Sequence, residues 1–262
     1  RLSQHILAVE AAGKEPAKVR LVAPSIVAPG EAVTLKLAVT DADDLPCIGF
    51  EGEVSVCADF AEPRTFQVRF IEEEAPIAFV TGPAILDEGI YRFRAELEGR
   101  AFFSNPVLCS VGAASVQWGD PHIHTVISDC HPSLCRSIDF GYTAARWLAG
   151  LDWAAVADHV SNGRSSLGKW RQQIASSETY NTPGEFATIP AYEASLEGGA
   201  GGDNNIYMAR WPEMFVDDYD DGDIRTLCEK LGEYLEKDEY FAVPHHTSRA
   251  VKHGELPSSI YP

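Results

Sequence analysis

The hydrophobic rhythm of this chain changes once, near residue 115, and that change limits the folds open to it more than any single motif does. Ahead of it, Val33, Leu35, Leu37 and Val39 alternate with small or polar neighbours. Phe66, Val68 and Phe70 do the same, as do Tyr91, Phe93, Ala95 and Leu97. Successive side chains of a strand point to opposite faces, so this alternation predicts strands with one buried face. Turn formers separate the runs at Ala28-Pro29-Gly30, Asp41 to Pro46, Ala61 to Pro63 and Asp87-Glu88-Gly89. The pattern predicts an antiparallel β-sandwich over residues 1–114, with residues 1–13 as a short helical extension. No catalytic cluster falls in this half, which is expected to serve a structural or accessory role.

From Ser115 onward, strand-like runs alternate with helical spacing. Strands are expected at Ser115 to Gly119, Trp153 to Ala157, Glu185 to Ala194, Asn205 to Ala209 and Tyr240 to Val243. Helices are expected at Phe140 to Ala149 and after Asp223, where Ile224, Leu227, Cys228, Leu231, Tyr234 and Leu235 share a face. Residues 115–262 therefore read as an α/β arrangement in which polar groups at strand ends converge on a site.

Those strand ends carry metal-binding chemistry. Seven of the eight histidines lie between residues 122 and 253. His122 and His124 are two apart, so on an extended segment both imidazoles project to one side, where two neutral nitrogens suit a borderline metal ion. Alone, such a pair is more often a surface feature; here a buried-looking strand precedes it and Asp129 follows. Asp158-His159 ends the next apolar run. Asp158 can cap a helix, but a buried histidine beside it needs a metal or a hydrogen-bond partner, so metal or hydrogen-bond work is expected of the pair. Glu193, late on an apolar strand, needs a cation or donors, and an arginine would also serve. His245-His246 follows another strand, and adjacent side chains there point opposite ways. One is then a ligand and the other an acid-base or supporting group.

The formal charge of −18, from 39 acidic and 21 basic residues, argues against a nucleic-acid backbone tracker. No run is long and apolar enough for a membrane span. Six cysteines (47, 57, 109, 130, 135 and 228) contain no C-x-x-C pair, and they predict reduced thiols and a cytoplasmic location. The acidic run Asp217 to Asp223 fails as an EF-hand, because Tyr219 and Cys228 fall at ligand positions. No phosphate-binding glycine-lysine loop and no nucleophile elbow is present.

The order His-x-His, Asp-His, Glu, His resembles the PHP (polymerase and histidinol phosphatase) superfamily of metallohydrolases. Trp118-Gly119-Asp120-Pro121-His122-Ile123-His124-Thr125 is similar to the opening of a PHP-like family known as a domain of unknown function. Gly150-Leu151-Asp152-Trp153, Ala157-Asp158-His159, Pro183-Gly184-Glu185-Phe186, Tyr192-Glu193 and Pro244-His245-His246-Thr247 fit it as well. The resemblance implies an irregular (β/α)7 barrel after the β-sandwich, with up to three zinc, manganese or iron ions. It implies His122 and His124 on one ion, Glu193 bridging to a second held also by His245 or His246, and Asp129 and His159 on a third. Asp158 would orient its neighbours. The sequence departs from the family at Pro121, at Gly202-Asp203-Asn204-Asn205, and in lacking a closing Asp-x-His after His246. That closing motif is expected from residues beyond those given. The implied function is metal-dependent hydrolysis of a small or polymeric phosphoester, with His245, His246 and Asp158 as candidate catalytic groups and Arg249 and Lys252 as candidate anion contacts. The alternatives are amide or ester hydrolysis by the same ligands, or a catalytically degenerate binding protein.

Overall fold

The alternating residues of the first half form short strands that share one apolar core. In the computed structural model, which describes residues 12–58, 60, 64–71, 76–128, 136–159, 166–196, 202–212 and 224–245, the chain divides into two units. One unit is Arg1–Trp118 with Thr143–Leu151, and the other is Gly119–Tyr142 with Asp152–Pro262.

In the first unit, β1 (Lys18–Val22), β3 (Val33–Thr40) and β6 (Ile77–Gly82) make an antiparallel sheet in the order β1-β3-β6. A four-stranded antiparallel sheet runs β5 (Arg64–Phe70), β4 (Gly52–Ala58), β8 (Phe93–Leu97), β9 (Arg100–Phe103). The arrangement is sandwich-like. Val33, Leu35, Leu37 and Val39 of β3 share a buried cluster with Val54 and Val56 of β4 and with Phe93 and Ala95 of β8. Each large side chain buried there contributes roughly 1.5–3 kcal/mol. A third, mixed sheet departs from pure antiparallel order: β10 (Val107–Cys109) lies parallel to β2 (Ile26–Val27) and antiparallel to β7 (Gly89–Tyr91). The helical stretch Thr143–Leu151 belongs to this unit. Lys36 Nζ donates to the Gly150 carbonyl at 2.8 Å, and the Trp147 ring meets Phe79 edge-on.

The second unit corrects the barrel expectation. Its first three strands, β11 (Gly119–Ile123), β12 (Trp153–Val156) and β13 (Ala187–Thr188), are parallel, as βα order requires. The next three, β14 (Ala191–Leu196), β15 (Gly202–Met208) and β16 (Tyr240–Pro244), are antiparallel. Only residues 197–201 separate β14 from β15, whereas a parallel crossover needs a dozen or more residues. A (β/α)7 barrel needs every strand parallel, so this chain does not build one. Among the described residues sheet dominates, with three α-helices in all, at Ile138–Thr143, Ser166–Tyr180 and Ile224–Leu231.

Two local differences matter for the site. The single strand expected over Glu185 to Ala194 breaks at Ile189-Pro190, where proline has no N–H for a ladder. The helix Ser166–Tyr180 was not foreseen, because its buried residues include the polar Gln173, Ser176 and Ser177 between Trp170 and Tyr180. Gln173 Nε2 donates to the carbonyls of Val156 (3.0 Å) and Ala191 (3.4 Å), tying the helix to β12 and β14. No helix among the described residues is long and apolar enough to cross a membrane.

Candidate metal centre

Pro121 shapes the segment that delivers the first two histidines. Strand β11 pairs Asp120 with Ala154 and Ile123 with Val156, so Pro121 and His122 together oppose one residue of β12. This is a bulge at the one residue that cannot donate to the ladder. The Tyr207 hydroxyl donates to the Pro121 carbonyl at 3.0 Å, and the His122 amide donates to Asp120 Oδ1 at 2.9 Å. The bulge leaves His122 and His124 with their Nε2 atoms 2.9 Å apart. The expected strand ending at Gly119 thus starts there and itself carries His122.

Glu193 comes from β14. Its neighbour Tyr192 faces the other way and packs edge-on against Trp170 of the long helix. The two-residue period of the strand then turns Glu193 towards the histidines. His124 Nε2 lies 2.9 Å from Glu193 Oε2, His159 Nε2 lies 3.3 Å away, and His122 Nε2 lies 3.5 Å away. His245, held by donation of its amide to the Asp203 carbonyl at 2.8 Å, brings Nε2 to 3.8 Å from Glu193 Oε1. The rings order themselves in pairs, His122 stacked on His245 with centroids 4.3 Å apart and His124 stacked on His159 at 5.1 Å.

The carboxylate at the centre is 1% exposed, yet among the described residues neither oxygen accepts a hydrogen bond of acceptable direction. Burial raises the Glu193 carboxyl, but the imidazoles of His124, His159 and His122 outweigh it and hold the group below its ordinary value. Burial lowers His122; Glu193 opposes this, and His124 and His245 reinforce it. A neutral imidazole beside an ionised carboxylate is the protonation state that metal ligation requires.

Asp158 stands behind the cluster. It is fully buried and accepts from the Thr125 amide at 2.6 Å, from the Thr125 hydroxyl, and from Ser128 Oγ at 2.6 Å. Ser128 Oγ gives its one proton to Asp158, so it accepts from the His159 amide (3.0 Å) and from His124 Nδ1 (2.6 Å). That fixes the Nδ1–H tautomer of His124 and leaves its Nε2 lone pair facing Glu193. His159 Nδ1 has a hydroxyl of its own, Ser195 Oγ, at 3.0 Å. Sequence reasoning missed Thr125, Ser128 and Ser195. Serine and threonine near a histidine motif are too common to single out, and only the contacts with Asp158, and for Ser195 with His159, give them a role.

The structure therefore brings together His122, His124, His159, Glu193 and His245, with Asp158 one layer removed. Asp129, His246, Arg249 and Lys252 lie outside the described residues, as do Cys130, Cys135, the acidic run 217–223 and the glycine-rich 198–201.

No family model matches the chain, and no curated protein matches it. Among solved structures it is similar to the CARDB domain of a Pyrococcus furiosus protein in complex with di-metal ions. That pair is 17% identical over 38% of this chain and 92% of the other, with a TM-score of 0.26. The PKD domain of an M14-like peptidase from a Thermoplasmatales archaeon is 15% identical over 37% of this chain and 98% of its own, with a TM-score of 0.23. PhoD is 11% identical over 70% of this chain and 40% of its own length, with a TM-score of 0.28. Similarities this slight carry no argument about what the chain does. The geometry itself establishes the group His122, His124 and Glu193, whose ligand atoms lie within 4.8 Å of one another and which can hold a metal ion.

Proposed function

We propose that the chain is a metal-dependent hydrolase acting on phosphoesters, with His122, His124 and Glu193 as the central ligands of a divalent zinc, manganese or iron ion. The observation that carries this reading is the buried Glu193 carboxylate, ringed by four imidazole nitrogens at 2.9–3.8 Å and lacking directed donors. An uncompensated buried charge costs several kcal/mol, and a shared cation removes that cost for acid and imidazoles together. When bound, such an ion supplies Lewis acidity and a hydroxide nucleophile near neutral pH.

The chain's own residues supply the rest. Asp158 and Ser128 keep His124 in one tautomer, and Ser195 orients His159. His245 has the most exposed side chain of the four histidines, 30% against 15–22% for the others. Its place at the rim suits it to pass a proton at Nε2 to a departing alkoxide, with its backbone anchored on β15. The preference for phosphoesters rests on the resemblance of the His-x-His opening to PHP proteins. Amide or ester hydrolysis by the same ligands is the competing outcome.

The test is elemental analysis of chain purified without chelator, followed by turnover of p-nitrophenyl phosphate and of p-nitrophenyl acetate with added zinc, manganese or iron. Bound metal, loss of it in a His122→Ala, His124→Ala variant, and metal-dependent phosphate release are expected. Metal content unchanged by the double substitution refutes the centre, and turnover of the acetate alone refutes the phosphoester assignment.

A further inference from the structure

Three histidines of the centre hold Nε2 close to Glu193 Oε2, and two of them have a hydroxyl on the opposite ring nitrogen, Ser128 for His124 and Ser195 for His159. His122 is the exception. Its Nδ1 is buried and makes no hydrogen bond of acceptable direction among the described residues. For Nε2 to ligate, Nδ1 must carry the ring proton. A buried N–H without an acceptor keeps its full desolvation penalty.

One side chain in the same place has the complementary deficit. Asn205 on β15 is 5% exposed, and its Oδ1 is buried without a directed donor. The antiparallel register sets Asn205 directly opposite Glu193, so both side chains leave the same face of the sheet. From there its amide adjoins the His122 ring and also the hydroxyl of Tyr207, the residue that clamps the Pro121 carbonyl at the bulge. The unpaired acceptor on β15 and the unpaired ring nitrogen on β11 thus meet at one site.

We propose that Asn205 is a positioning residue of the metal centre, its Oδ1 accepting the Nδ1 proton of His122 so that Nε2 presents a lone pair to the ion. This rests on the metal-centre reading above. Asn205 does for His122 what Ser128 does for His124, through an amide in place of a hydroxyl. The competing arrangement puts the proton of His122 on Nε2, donating to His124 Nε2 at 2.9 Å, and would block ligation there.

Zinc alone is the probe, titrated calorimetrically into the chain as it stands and into Asn205→Leu, Asn205→Asp and His122→Ala variants. Asn205→Leu keeps the volume and removes the acceptor, so zinc affinity falls about 10–100-fold. Asn205→Asp keeps an acceptor and holds affinity within about threefold of the parent, a rescue that a purely packing role does not give. If Asn205→Leu fails to fold, the imidazole nitrogen shifts of the zinc-loaded parent decide the matter. A protonated Nδ1 and a ligated Nε2 on His122 are expected. Nε2–H on His122, or parent-like zinc affinity in Asn205→Leu, overturns the role of Asn205 while leaving the centre standing. A His122→Ala variant that binds zinc as the parent does, or a parent that binds none, overturns the centre itself and this inference with it.

Discussion

Replacing Asp158 by alanine removes the acceptor of three buried hydrogen bonds at once. The donors are the Thr125 amide, the Thr125 hydroxyl and the Ser128 hydroxyl, and Thr125 and Ser128 are themselves 1% and 2% exposed. Hydrogen bonds to an ionised acceptor contribute about 1.5–3 kcal/mol each. The two hydroxyls can rotate, but the backbone N–H cannot, and it keeps its full desolvation penalty. Relief from burying the carboxylate offsets part of the loss, which leaves a cost of about 3–6 kcal/mol. That is a large share of the roughly 5–15 kcal/mol that holds a domain together. Asp158→Asn retains one carbonyl oxygen and is expected to lose about half as much. The assay is urea unfolding read by hydrogen exchange in fragments, so that the unit carrying Asp158 is followed separately from the sandwich-like unit. Protection of the Thr125 amide should collapse first. A loss below about 1 kcal/mol, with Thr125 still protected, refutes the reasoning.

Two further outcomes follow from the geometry. His122 is depressed chiefly by burial, and Glu193 is depressed despite burial, so the folded state binds fewer protons than the unfolded one and stability rises with pH. The His122 contribution is fully present above its ordinary value of 6.5, and the Glu193 contribution above 4.5; each is lost as pH falls through the lower folded value. The urea midpoint of chelator-treated protein should therefore drop progressively on acidification, and His122→Gln should flatten the upper part of that curve. A midpoint that holds steady from about pH 7 to about pH 4 would contradict both shifts. Gly119→Ala places a Cβ 2.0 Å from the Trp153 ring, so β11 must move away from β12. A loss of about 1–3 kcal/mol is expected, with weaker metal binding because the displaced strand carries His122. An unchanged thermal midpoint would show that the two strands do not approach so closely.

Much of the local structure was legible in the chain, and the reason is periodicity. Val33 to Val39 and Phe93 to Leu97 alternate because one face of each strand is buried, and burial selects side chains one by one. The Ile224 helix showed its apolar stripe for the same reason, with Leu227 and Leu231 buried. The helix Ser166–Tyr180 hid because its inward face uses Gln173, Ser176 and Ser177, whose burial depends on partners in β12, β13 and elsewhere. The barrel expectation failed because β14, β15 and β16 pair antiparallel, a direction set by the short connection between β14 and β15 and not by the ligand order on which the expectation rested. The five residues between β14 and β15 held the answer, since no helical crossover fits in them.

The candidate centre divides along the same line. His122-Ile123-His124, Asp158-His159, Glu193 and His245 stood out by chemistry and by their place at the ends of apolar runs, which is information carried by single positions. Which of them meet, and in what order of depth, was decided only by the tertiary structure. The bulge at Pro121 set His122 beside His124, and strand alternation turned Glu193 away from Trp170 and towards the histidines. Asp158 was drawn back into a hydroxyl network, and Asn205 was placed across from Glu193. A sequence records which groups a chain can offer to a metal ion. Their convergence within a few ångströms depends on strand register and direction, which are set by contacts between residues far apart in the chain.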